Sequence, residues 1–253
     1  MSKAKLMKNR FLNFPAAADS CFSIGCCLLA VSFFSLAPGV RAADAPQPSG
    51  DDVLYLVRKS QAQQYLQGLT GRLRNSETGQ SWPLELTMRD NIIRFLLRNP
   101  NEIINLDLKD SGTKLSRVAA GGKTEISTSL YAERVRNTDI NYEDLSMRFL
   151  YWPNAKIMGE DTFSFQKCWH VRVANPDGRG PYGTVDAWVA KNSGAMMQME
   201  AYDAQARKVK RFLVKKGQPY QGAYILKQMR VESFDPATHK VKGVTYLEID
   251  DPK

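Results

Sequence analysis

The sequence predicts an α+β protein that is mostly antiparallel β, and three observations carry that reading. From Leu84 onward, apolar and polar residues alternate with period two through most of the chain. The alternating runs are separated by short turn sequences such as Asp90-Asn91, Asn99-Pro100-Asn101 and Asn192-Ser193-Gly194. Turns of that length cannot carry parallel crossovers, which need a dozen residues or more. Helical patterning is confined to the region after Asp51 and to Thr128–Pro153. A sheet of so many strands curls, and its concave face has to be filled by side chains, helices or a ligand.

The first 42 residues stand outside that fold. Lys3, Lys5, Lys8 and Arg10 form a basic leader, and Cys21 to Leu36 is almost unbroken apolar sequence, short for a membrane span. Val40-Arg41-Ala42 supplies small residues at the −3 and −1 sites, so residues 1–42 read as a secretory signal peptide cleaved after Ala42. Ser23-Ile24-Gly25-Cys26 lacks the Leu-like residue of a lipobox, which argues against a lipid-anchored form. Five of the 35 basic residues and one of the 26 acidic ones leave with this segment, lowering the formal charge from +9 to +5. Three of the four cysteines leave too, so Cys168 has no partner for an internal disulfide, and stability must come from a core. Residues 43–50 (ADAPQPSG) have the composition of a flexible leader, and residues 51–253 suffice for one domain burying about 70% of its unfolded surface.

Within the domain, Asp51 and Asp52 precede Val53, Leu54, Leu56 and Val57, and the run to about Leu66 is rich in Gln and Ala without a breaker, the pattern of an amphipathic helix with its acids at the favourable end. Leu84, Leu86 and Met88 then alternate with Glu85, Thr87 and Arg89, followed by strand-like Ile92–Leu97, Ile103–Leu108 and Lys114–Val118. Gly121-Gly122 turns the chain toward Thr128–Asn137, which reads as helical. In Thr138–Pro153, Asn141 is placed to cap a helix by accepting a bond from the Asp144 N–H, and Glu143 and Asp144 put negative charge in its first turn. Leu145, Phe149 and Leu150 give it an apolar face, and Pro153 stops it. The C-terminal half is a strand meander: Cys168–Ala174, Thr184–Ala190, Met196–Tyr202, Val209–Lys215, Tyr224–Phe234 and Val241–Asp250.

Several blocks in this order resemble the bacterial outer membrane lipoprotein-sorting protein family, which is LolA-like. They are DINYEDL from Asp139, a Gly159-Glu160-Asp161 turn, Cys168-Trp169-His170-Val171, VDAWV from Val185, MEAYDAQ from Met199 and YILKQMRV from Tyr224. The resemblance spans about Asp51 to Asp250. It implies an unclosed half-barrel of roughly eleven strands whose helices lid an apolar concavity. No arginine here matches the family's lid arginine residue by residue.

The chemistry-bearing residues point away from catalysis. His170 lies on a strand and His239 in a turn, neither with a second ligand at metal spacing. Cys168 has no histidine constellation around it, and Glu143 and Asp144, adjacent on a helix, do not face each other. No nucleotide, zinc-protease or serine-hydrolase motif is present, so no cofactor and no metal is expected. The basic run Arg207, Lys208, Lys210, Arg211, Lys215 and Lys216 is a solvated strand face or a contact for anionic head groups or an acidic partner. Nucleic acid is disfavoured by export. Phe95, Leu97, Leu145, Phe149, Leu150, Trp152, Met197, Met199 and Phe212, with Met196, read equally as packed core or as the wall and lid of a lipid pocket. Together with the resemblance, these residues imply a periplasmic, monomeric, non-enzymatic carrier of lipoprotein acyl chains or another lipid, working with inner- and outer-membrane transfer proteins. A lipid-sensing regulator of envelope signalling is the main alternative, and an exported hydrolase the third.

Overall fold

A computed structural model describes residues 47–62, 68–221 and 223–251. The signal peptide, residues 43–46 of the leader and the expected continuation of the first helix beyond Ala62 to about Leu66 lie outside the described residues. Helix α1 (Gly50–Ala62) is followed by β1 (Leu69–Asn75), β2 (Ser81–Arg89), β3 (Ile92–Leu97), β4 (Glu102–Lys109), β5 (Gly112–Ala119) and β6 (Gly122–Glu125). A 3-10 turn (Thr128–Leu130), helix α2 (Tyr142–Ser146) and a second 3-10 turn (Arg148–Tyr151) lead to β7 (Lys156–Phe163). Then come β8 (Gln166–Ala174), β9 (Thr184–Ala190), β10 (Met196–Tyr202), β11 (Lys208–Tyr220), β12 (Ala223–Phe234) and β13 (Val241–Ile249).

All the described strands join one antiparallel sheet of 13, in the order β6-β5-β4-β3-β2-β1-β13-β12-β11-β10-β9-β8-β7. The chain therefore builds one arm outward from β1 to β6, crosses to the opposite edge, and builds the second arm back to β1 through the β1·β13 seam. Because β6 and β7 do not pair, the barrel is unclosed, as expected; it has two more strands than the resemblance implied. The topology dictates the role of residues 126–155. They link the two edges, and their apolar residues Tyr131, Val135, Ile140, Phe149, Leu150 and Trp152 are buried in the same core as the concave faces of both arms.

Local chemistry explains the two helices. Asn141 accepts from the Asp144 N–H at 2.9 Å, and Asp144 accepts from the Asn141 N–H at 2.9 Å, a reciprocal capping box. The expected continuous helix from Asn141 to Tyr151 is broken, because Met147 sits in the left-handed region at φ 46° and ends α2. Ser49 and Asp52 form a second such box at the start of α1, with bonds of 3.1 and 3.0 Å. Val53, Leu54 and Val57 make one buried stripe, while Tyr55 and Leu56 face solvent. Gly50 seats α1 against the crossing segment, where a Cβ would lie 2.3 Å from the Ala155 carbonyl oxygen.

Two further expectations are corrected. Thr128–Asn137 is not a helix beyond its first 3-10 turn. Tyr131 and Val135 have helical spacing because both reach the core, but the backbone bonds run to the returning strand-like segment, from Val135 N–H to Ile140 O (2.7 Å) and Glu143 N–H to Tyr131 O (2.9 Å). Gly159-Glu160-Asp161 is not a turn; it lies inside edge strand β7, where a bulge between Ile157 and Gly159 shifts the register. Among the described residues no helix is long and apolar enough to cross a membrane.

Candidate functional site

The concave side of the first arm and the β11–β13 strands enclose a cavity of about 250 Å³. Its walls follow from strand alternation. Leu84, Leu86 and Met88 on β2 face Ile93, Phe95 and Leu97 on β3, paired as Leu84↔Leu97, Leu86↔Phe95 and Met88↔Ile93. Leu69 and Leu73 come from β1, Phe212 from β11, Ile225, Leu226 and Met229 from β12, and Leu247 and Ile249 from β13. Val135, Ile140, Leu145 and Met147 of the crossing segment complete it. Leu69, Met88, Ile93, Ile225 and Ile249 sit at strand ends, so the cavity reaches the end of the sheet that carries the β2–β3 and β11–β12 hairpin tips.

Of the nine residues expected from sequence, the structure brings Phe95, Leu97, Leu145 and Phe212 together around this cavity. Phe149, Leu150, Trp152 and Met199 are in the packed core and do not line it. Met197 is half-buried on β10, away from the cavity. Reading by residue type missed most of the lining. Alternation on β2 and β3 does select it, whereas β12 and β13 carry apolar residues on both faces and hide the inward one.

One carboxylate, Asp144, joins the otherwise apolar wall. Its Oδ2 is 3.3 Å from Lys210 Nζ, and its Oδ1 accepts a short bond from the Tyr182 hydroxyl. Burial pushes the Asp144 carboxyl above its ordinary value, with the Lys210 ammonium pulling the other way. Tyr182, buried against that carboxylate, is held well above the usual phenol range. Beside this pair, Glu143 is raised by burial and opposed by Arg148, whose Nε lies 2.8 Å away. The Arg148 guanidinium sits 5.6 Å from the Tyr131 ring centre and 5.9 Å from that of Trp152.

The crossing segment is tied down from four sides. Arg58 of α1 donates to the Leu150 carbonyl, and Thr113 Oγ1 of β5 donates to the Ser146 carbonyl at 2.7 Å. Lys210 of β11 donates to the Asp139 carbonyl, and Thr245 Oγ1 of β13 donates to Asp139 Oδ2 at 3.0 Å. With so many anchors the segment is a plug under the cavity. Arg58 thus holds the segment from α1.

The remaining candidates for chemistry are dispersed. His170 stacks on Trp188 with ring centres 4.3 Å apart, its Nε2 3.4 Å from the Asp186 carboxylate. Cys168 is fully buried, and burial pushes its thiol up. His239 is in the β12–β13 turn at φ 57°. Among the described residues no group of three or more His, Cys, Asp or Glu could hold a metal ion.

Residues 119–252 match the model of a family described only as uncharacterized-protein-like. No curated protein matches the chain. Solved structures share the fold, among them the following three. An outer membrane lipoprotein-sorting protein domain from Vibrio parahaemolyticus aligns with TM-score 0.63 and 13% identity, covering 80% of this chain and 92% of its own. A DUF1329 family protein from Desulfovibrio piger aligns at 0.61 and 16%, covering 80% and 90%. A LolA superfamily protein from Nitrosomonas europaea aligns at 0.57 and 12%, covering 81% and 93%. At these identities the likeness is one of fold.

Proposed function

This chain belongs to the family matched over residues 119–252, its fold is LolA-like, and from that premise we propose that it is a periplasmic carrier of acyl chains. The observation that carries the reading is the apolar cavity of about 250 Å³ between the arms of an unclosed barrel. An apolar cavity of about 150 Å³ holds one benzene, so this one takes about ten carbons of a chain. Burying ten methylenes at about 0.8 kcal/mol each yields about 8 kcal/mol, a micromolar complex before ordering costs. That is loose enough for cargo to be handed on. A three-chain lipoprotein cannot fit whole in this form; it enters one chain at a time or widens the space between the arms.

Escape of a buried chain into water would reverse the full transfer energy, so cargo passes on contact with a receiving membrane or protein. The carrier delivers toward the outer membrane. In this reading the anchored plug stays in place while chains enter past the strand ends, so the Asn141–Tyr151 segment is a floor and not a moving cover. The test is native mass spectrometry with lipid extraction of exported protein, with titration of a fluorescent fatty acid in parallel. Co-purifying lipid and saturable micromolar probe binding are expected. Protein that holds no lipid and does not bind the probe would sink the carrier reading.

A further inference from the structure

The end of the sheet reached by the cavity carries an arrangement that the cavity does not explain. At that end lie the β7–β8, β9–β10 and β11–β12 tips. Register shows that two of them protrude. Leu213 on β11 lies opposite Gln198 on β10, so β11 and β12 run on past Met196, where β10 begins, to the Tyr220↔Ala223 pair. Similarly, Cys168↔Ala190 places the Ser164-Phe165 tip beyond the end of β9. Each protruding hairpin carries an exposed aromatic: Phe165 is completely exposed, and Tyr224 is 79% exposed.

Phe165 is also in the wrong backbone region for its type. Ser164 and Phe165 have φ of 46° and 65°, a pair of left-handed residues that favours Asn or Gly. The β2–β3 tip at the same end adopts the same form with Asp90 and Asn91 at 52° and 60°, residues that suit it. The strain at this phenylalanine is not offset by burial of its ring, which is completely exposed. Behind the two tips stand Lys59, Lys167, Lys215 and Lys216, all exposed and with no ion pair among the described residues. Ser60, next to Lys59, is 3.5 Å from the Gly194 carbonyl, which places that lysine at the β9–β10 tip. Nearby Lys191 and Lys227, by contrast, are neutralised by Glu160 and Asp251.

We propose that this end docks on an anionic lipid bilayer, with Phe165 and Tyr224 entering the interface and the four free lysines resting on acidic head groups. The inference rests on the carrier reading only for its purpose, which is to bring the cavity's outer end to the lipid surface. The chemistry stands apart from that. Aromatic rings at protruding tips suit the boundary between head groups and chains, and unpaired lysines favour anionic surfaces over neutral ones.

The experiment is co-sedimentation of the purified protein with protein-free vesicles, either phosphatidylglycerol-rich or phosphatidylcholine only, at low and high salt. Wild type is expected to partition at least tenfold better onto the anionic vesicles at low salt. Phe165→Gly, which relieves the turn and so keeps the fold, is expected to lose about tenfold or more of that binding. The double variant Lys215→Glu/Lys216→Glu should lose as much and flatten the salt dependence. Fatty-acid titration of the same Phe165→Gly protein without vesicles should match wild type, so loss of docking and failure of the cavity reading register separately. Equal partitioning of wild type and Phe165→Gly would overturn the proposal. So would binding confined to vesicles that contain outer-membrane proteins, which would assign this end to a protein partner.

Discussion

The β2–β3 hairpin and the β8–β10 strands use their concave faces in opposite ways. On the second arm, Val171 and Val173 of β8, Val185, Ala187 and Val189 of β9, and Met199 and Ala201 of β10 are all buried. Most of these side chains are short or β-branched, and α1 packs onto β7 and β8 through Val53, Leu54 and Val57. On the first arm, Leu86, Ile93 and Phe95 are only half-buried and border the cavity. A close-packed interior tolerates few voids larger than a water, so an apolar cavity beside the fully packed strands β8–β10 marks a place where packing has been given up. Small side chains let a helix approach on one side; long, flexible ones left unfilled on the other leave room for a chain.

The largest test of that contrast is to damage the packed region. Phe149→Ala removes one of the largest fully buried side chains, and should cost about 3–5 kcal/mol, or about 6–20 °C in melting temperature. Affinity for a fatty-acid probe, measured on folded protein, should not change, because Phe149 does not line the cavity. A parallel fall in probe affinity would erase the distinction between core and cavity.

A comparable cost is expected where the plug meets the cavity. Lys210→Met leaves the Asp144 carboxylate buried without its cation, a loss of about 3–5 kcal/mol near neutral pH. Burial already raises the folded-state value of Asp144 above its unfolded value, so its contribution to stability falls as pH rises through that window. Removing Lys210 takes away an opposing influence and widens the window. Denaturant melts should therefore show a smaller penalty at about pH 4.5 than at about pH 7.5, and a pH-independent penalty would show that the carboxylate is not what suffers.

The third test acts on the first arm. Leu86→Trp places a larger side chain into the cavity and should weaken the fatty-acid probe tenfold or more while changing stability by about 1 kcal/mol or less. Unchanged probe affinity would move the binding site elsewhere.

How much of this was legible in the sequence varied with how sharply turn chemistry bounded each element. The strands Ile92–Leu97, Thr184–Ala190 and Met196–Tyr202 agree with their sequence readings residue for residue, because turn-forming residues flank them. The capping of α2 by Asn141 was legible for the same reason. β1 was obscured by Gly71, which looks like a breaker, yet there a Cβ would lie 2.2 Å from the Glu248 carbonyl oxygen of the paired strand. β6 has four exposed residues and no hydrophobic signal, and β7 is an exposed edge interrupted by a bulge. For the site, the apolar spacing of Phe149 and Leu150 indicates burial without saying against what. The cavity exists only where strands distant in sequence, β2, β3, β12 and β13, come to share one concavity, which no local pattern encodes.

The last test lies at the seam where the arms join. There Glu248 of β13 accepts from Arg72 Nε at 2.6 Å and Arg74 Nη2 at 2.9 Å, both on β1. These bonds hold the Glu248 carboxyl down at about 2, below its ordinary value of 4.5. A depressed carboxylate stabilises the fold above its unfolded value, and that contribution disappears as pH falls from about 4.5 toward about 2. The full shift would correspond to about 3 kcal/mol, but Arg72 is half exposed and solvent screens the pair, leaving about 1–2 kcal/mol. Glu248→Gln should thus cost about 1–2 kcal/mol at neutral pH and nothing near pH 2. If the arms also move apart to admit a second chain, the loosened seam should raise the rate of probe uptake while the cavity side chains, and hence their contacts with the bound probe, stay the same. Stopped-flow uptake decides between the alternatives. Faster uptake by the variant would make the β1·β13 seam a hinge, whereas an unchanged rate would assign chain entry to the strand ends and leave the two arms a rigid frame.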